Sequence, residues 1–223
     1  MRTILTTLFL LSFSTNAISQ NHFFDTTLKV NKQTFHIVTK DLDSDFVLLS
    51  CAYNLMTALN DTIDGGGLSD VEFPDFNKDG YPDIMLTYMG NNSTYFLYLF
   101  DQMTNRFKSI DGFDKYPEAI QLKANSKYYY SYHRAGCADM NWVSDLFKIV
   151  NFKTIQVGHI YGQGCDFEVK QNPQVIEIYK VTNDDEEKGK LISKLPYLKF
   201  IPDFGDKWDF IRKYWNKNYK QFE

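Results

Sequence analysis

Between residues 23 and 181 the chain reads as a succession of short runs in which apolar and polar residues alternate. This is the period-two pattern of strands that bury one face. The runs fall at 23–30, 33–39, 46–52, 84–89, 94–100, 119–122, 127–133, 146–150, 154–161 and 175–181. Turn chemistry separates several of them, as at Val30-Asn31-Lys32, Gly90-Asn91-Asn92 and Lys123-Ala124-Asn125-Ser126. Many short strands joined by short turns predict a mainly β chain of antiparallel sheets, propeller-blade-like or a sandwich. No self-similarity recurs at a period of about 34 or 40 residues, so a full propeller of repeated blades is not expected. The acidic run 183–190 reads as a solvated loop. The period then changes. Trp208, Ile211, Trp215 and Tyr219 recur at helical spacing with Lys207, Arg212, Lys213, Lys217 and Lys220 between them. That predicts an amphipathic helix over 206–220 with Asp206 as its N-cap. Such a helix either lays its aromatic stripe on a sheet or binds a membrane surface or partner, and the first is the simpler expectation.

Composition narrows the function classes. Of 223 residues, 43% are hydrophobic and 17% aromatic, which supplies enough apolar area to exclude a disordered chain. With 24 Lys+Arg against 28 Asp+Glu, the net charge of −4 excludes a dedicated nucleic-acid binder, because no basic excess exists to neutralise phosphates. One β-rich domain over 20–223 is the expected organisation.

The first residues carry an address. Arg2 precedes an apolar run from Ile4 to Phe13, and Ala17-Ile18-Ser19 supplies small residues before a cut. This is the layout of a secretory signal peptide over 1–19, cleaved near Ser19. Its apolar run is too short to span a bilayer, which takes about 20 residues, and no other stretch approaches that length. The expected location is the periplasm or the exterior. There, disulfides persist. Cys137 and Cys165 both follow a glycine at the end of a strand-like run, and they are expected to pair, a bond worth roughly 3.5 kcal/mol by loop entropy. Cys51, inside a mostly apolar run, reads as a buried inert thiol.

The most specific motif is Asp75-Phe76-Asn77-Lys78-Asp79-Gly80-Tyr81-Pro82-Asp83. Side-chain oxygens fall at relative positions 1, 3, 5 and 9, with glycine at 6 for the sharp reversal and the Tyr81 carbonyl available at 7. Hard Ca²⁺ takes six to eight oxygen ligands at roughly 2.3–2.6 Å, which such a loop can deliver. Position 12 is Leu86 and not the glutamate of a helix-loop-helix site, so this is a calcium loop that feeds a strand. From Asp61 to Asp83 there are seven acids and one lysine, a self-repulsion that a cation would relieve.

The D-x-N-x-D-G-x-x-D spacing running into Ile84-Met85-Leu86 resembles the calcium loop of FG-GAP/VCBS-type β-propeller repeats. A single copy in an exported chain is similar, more narrowly, to bacterial periplasmic proteins that include immunity proteins against peptidoglycan hydrolases delivered by type IV secretion systems. The run from Tyr132 to Phe147 resembles a second block of that group. The resemblance implies Asp75, Asn77, Asp79, Tyr81 and Asp83 as calcium ligands, and a secreted peptidoglycan hydrolase as protein partner.

Outside the loop, Tyr132, His133 and Arg134 beside Gly136-Cys137 and Asp139 form the one polar cluster that draws notice. Displayed on a disulfide-pinned loop, they could plug the acid-lined cleft of a lysozyme-like hydrolase. No nucleophile elbow, zinc-protease or phosphate-loop motif is present, so an enzyme is not expected. The expected function is a calcium-stabilised inhibitor of a peptidoglycan glycohydrolase. The alternative is a calcium-stabilised adhesion or glycan-binding module.

Overall fold

The structure, a computed structural model, describes residues 24–43, 45–166, 174–182 and 185–223. The expected signal peptide at 1–19 lies outside the described residues. The alternating runs form three antiparallel sheets, laid down in chain order. The first is a four-stranded meander of β1 (Phe24–Val30), β2 (Gln33–Asp41), β3 (Phe46–Tyr53) and β4 (Met56–Asp64). The second repeats that plan with β5 (Leu68–Glu72), β6 (Ile84–Tyr88), β7 (Thr94–Asp101) and β8 (Arg106–Ser109). The third contains β9 (Ile120–Gln121), β10 (Tyr128–Tyr130), β11 (His133–Arg134), β12 (Asn141–Val150), β13 (Lys153–Gln163), β14 (Val175–Thr182) and β15 (Asp185–Pro196). Its spatial order is β15-β14-β13-β12-β10-β9, and β11 pairs farther along β12. Three hairpins turn on two residues with positive φ: Asn31–Lys32, Asn54–Leu55 and Asn151–Phe152. Such turns match the twist of the strands they join, and asparagine tolerates the left-handed region.

Period-two alternation decides how the sheets stack. On β7, Tyr98 and Phe100 enter one apolar cluster with Phe35, Ile37 and Leu49 of the first sheet. Their neighbours Leu97 and Leu99 point the other way, to Tyr129 and Phe147 of the third sheet. The second sheet is therefore an inner layer, apolar on both faces. On the third sheet, the face away from that layer carries Trp142, Leu146, Ile160 and Ile178. It is covered by a short helix α1 (Tyr197–Phe200) and by α2 (Asp206–Asn218), whose Ile211 and Trp215 are buried against it. Trp215 Nε1 donates to Ser144 Oγ at 2.9 Å, and Trp142 Nε1 donates to the Tyr197 hydroxyl at 3.1 Å.

Several expectations are corrected. Strands β4, β5, β8 and β15 were not anticipated, and each is the edge of its sheet. The run 183–190, expected as a loop, contributes 185–190 to β15. Asp61 and Asp64 sit on β4 and Asp70 and Glu72 on β5, so the acidic stretch is spread over two strands and not gathered in one loop. The strand expected over 127–133 is interrupted at Ser131–Tyr132, while β12 starts five residues before the expected 146. Asp206 is the first residue of α2 and not its cap. The cap is Gly205, and Asp206 Oδ2 instead accepts the Asp203 N–H at 3.2 Å.

Candidate functional site

The Asp75–Asp83 segment joins β5 to β6 and folds by side-chain-to-backbone hydrogen bonds. Gly80 N donates to Asp75 Oδ2 at 3.0 Å, Asp79 N to Asn77 Oδ1 at 3.1 Å, and Tyr81 N to Asp79 Oδ1 at 3.0 Å. Gly80 has φ +90, a left-handed conformation that glycine adopts without strain. Asp83 is fully buried. Its Oδ2 accepts from Phe76 N and its Oδ1 from Phe100 N, both at 2.9 Å. Burial pushes this carboxyl up to about 7; the two amides oppose the rise and Asp79 adds to it. Among the described residues no Lys, Arg or His pairs with it, so the charged form lacks a countercharge. The loop is also wedged between layers. Phe76 stacks on Tyr129 of the third sheet at 4.9 Å, and Tyr81 stacks on Phe100 at 5.3 Å, on the side of the first sheet. Gln121 Nε2 donates to Asn77 O at 3.0 Å.

The expected ligands Asp75, Asn77, Asp79, Tyr81 and Asp83 are thus brought into one loop, and their donors are the hard oxygens that Ca²⁺ requires. The fit lies in donor chemistry and in the buried carboxylate. Among the described residues no three acidic, His or Cys side chains already converge as a metal-holding group. Asn77 Nδ2 donates to Asp79 Oδ2 at 3.0 Å, so an ion would compete with that amide for the carboxylate.

The second constellation surrounds the bond between Cys137 and Cys165, whose Cα atoms lie 5.8 Å apart. Cys137, Ala138 and Asp139 have φ of 51, 50 and 71, three successive non-glycine residues in the left-handed region. Such a turn is held by its surroundings. The disulfide fixes one end. At the other, Lys207 of α2, with no solvent exposure, places Nζ 3.0 Å from Asp139 Oδ2 and 3.1 Å from Asp139 O. The same ammonium lies 3.7 Å from the centroid of the Phe204 ring. The Tyr132 hydroxyl donates to Asp139 Oδ1, and Arg134 Nε stands 3.8 Å from that oxygen.

These contacts revise the expected display of the cluster. Tyr132 is buried, and burial followed by the Asp139 carboxylate raises its phenol above the ordinary range. His133 is half-buried, whereas Arg134 is exposed. The three residues line a polar recess of about 210 Å³ whose far wall is the Asn91–Ser93 turn, with Glu118 beside it. Burial raises the Glu118 carboxyl; Asp139 adds to the rise and Lys207 opposes it. Lys207 and Glu118 escaped sequence reasoning, whereas Asp139 stands in the sequence beside the expected cluster. For Lys207 a signal existed, because it lies four residues before Ile211 and eight before Trp215, on the buried stripe itself.

Elsewhere, Cys51 is buried with its thiol pushed up to about 12 by burial, and His159 Nδ1 lies 2.7 Å from Asp145 Oδ1 within the third sheet. No helix among the described residues is long and apolar enough to cross a membrane.

No family model and no curated protein matches this chain. Among solved structures, similarity is found to a Xanthomonas type IV secretion system-related protein at 14% identity, with a TM-score of 0.47, covering 76% of this chain and 93% of that one.

Proposed function

We propose that the protein is an exported inhibitor that occludes the active-site cleft of a peptidoglycan glycohydrolase, with Ca²⁺ bound in the Asp75–Asp83 loop. The observation that carries the reading is Arg134. Its side chain is 57% exposed at the rim of the recess, on a segment fixed by the disulfide and by Lys207. A guanidinium presents a rigid fork of donors that matches a carboxylate in two parallel hydrogen bonds. Glycohydrolases of this type place two carboxyl groups about the scissile bond, so a pre-positioned arginine is a chemically matched plug. His133 adds a second donor beside it. Asp75, Asn77, Asp79, the Tyr81 carbonyl and Asp83 would hold the ion, which supplies positive charge to a buried carboxylate and no reaction chemistry.

The test is turbidity loss of cell-wall substrate by purified muramidases with and without the protein. The expected outcome is protection by the wild type and its loss in Arg134→Glu, with the melting temperature of the variant within a few degrees of wild type. Absence of protection and of any complex across a panel of muramidases would sink the reading.

A further inference from the structure

A groove of about 480 Å³ runs along α2 and shares no residue with the recess at Arg134. Its floor is apolar: Leu195 at the end of β15, Phe200 of α1, and Phe210 and Tyr214 of α2. Phe200 is 41% exposed and Leu198, two residues before it, 58%. The rim is charged, and its signs are segregated. Asp206 and Asp209 border the groove in the N-terminal half of α2, Lys213 and Lys217 in its C-terminal half.

We propose that this groove joins two copies of the chain, α2 against α2, antiparallel about a two-fold axis near the helix midpoint. A two-fold operator is self-complementary: the acidic half of each rim meets the basic half of the other. Asp209 then faces Lys213 and Asp206 faces Lys217, twice over, while the apolar floors cover one another. The antiparallel arrangement also sets each helix's N-terminal dipole end beside its partner's C-terminal end, which is attractive. A membrane fits this surface poorly, because the two aspartates on the rim would confront anionic headgroups. Within one chain Asp209 pairs with Lys213 at 3.0 Å and with Arg212, all three side chains being at least half exposed. Such surface pairs contribute little and are exchanged at small cost.

Sedimentation equilibrium of the purified protein, alone and as two variants, tests the interface. The wild type is expected to show a concentration-dependent dimer. Lys213→Glu sets like charges opposite Asp209, and Asp209→Lys sets them opposite Lys213. Each is expected to weaken self-association by roughly tenfold. An equimolar mixture of the two variants restores opposite charges and recovers association, which also shows that both are folded. A wild type that stays monomeric at about 0.2 mM overturns the proposal, since any dissociation constant well below millimolar would then be visible. So does a dimer indifferent to both substitutions. Binding to phosphatidylglycerol vesicles by a chain that never self-associates overturns it in favour of a membrane face.

Discussion

At the scale of single residues, the buried Lys207 shows where reading the sequence stopped short. The helical stripe was legible at Ile211 and Trp215, yet its first buried member is Lys207 and not Trp208. Trp208 is 45% exposed, its ring packed against Tyr132, while Lys207 occupies the buried position. Hydrophobicity ranks tryptophan inside and lysine outside. The order inverts here because Asp139 offers the ammonium a carboxylate and a carbonyl, and Phe204 offers a ring face. Removing one partner of a buried pair leaves the other uncompensated. Lys207→Met is therefore expected to cost roughly 3 kcal/mol in urea denaturation, and combining it with Asp139→Asn to cost less than the sum. Cys51 gives a prediction of opposite character. Its thiol is raised in the folded state from an ordinary value near 8.5, so folding favours the protonated form. The stability it contributes is complete below about pH 8 and is lost as pH rises towards the folded value of about 12. Between about pH 8.5 and 10.5 the stability of Cys51→Ala should fall less steeply than that of the wild type, and the native thiol should resist alkylation until the protein unfolds.

At the scale of elements, legibility follows position in the sheet, although the edge strands β1 and β9 were legible too. Inner strands such as β3, β6, β7 and β13 announce themselves through apolar alternation. All four strands missed from the sequence are edges, where one side of the backbone is unpaired and charge discourages pairing with another chain. β5 reads Leu-Ser-Asp-Val-Glu and β8 Arg-Phe-Lys-Ser, which are poor in apolar residues for that reason. Glycines inside β13 also become informative only once the aromatic rings over the sheet are placed. A Cβ on Gly162 would lie 2.1 Å from the Trp142 ring, and one on Gly158 would lie 2.7 Å from Phe222. Both strand positions are kept open for aromatic rings that pack across the sheet. Gly162→Ala forces the buried indole to shift, and overpacking of this kind costs about 1–3 kcal/mol. Thermal melting should show the loss, and near-ultraviolet circular dichroism should report the displaced Trp142.

At the scale of the whole molecule, the Asp75–Asp83 loop matters for what it touches as much as for what it would bind. It packs Phe76 towards the third sheet and Tyr81 towards the first, while Gln121 holds it by its backbone. An ion bound there at a dissociation constant of about 10⁻⁴–10⁻³ M acts on the packing of all three layers. Raising calcium to about 10 mM is then expected to add about 1–3 kcal/mol by linkage, and excess chelator to lower the melting temperature correspondingly. A melting curve indifferent to both would remove the ion from the proposal. The motif was readable from spacing alone, but its place between layers was not, because no local pattern records which sheets will stack. The inner sheet has a further consequence, for kinetics. A meander that is apolar on both faces gains only half its burial from either neighbour. Its residues emerge after the first sheet and before the third, so during synthesis it must wait for chain that has yet to arrive. Until β12 and β13 form, Leu97, Leu99 and the rest of that face stand open to other chains. The interval of greatest aggregation risk is therefore set by how quickly residues 102–163 follow.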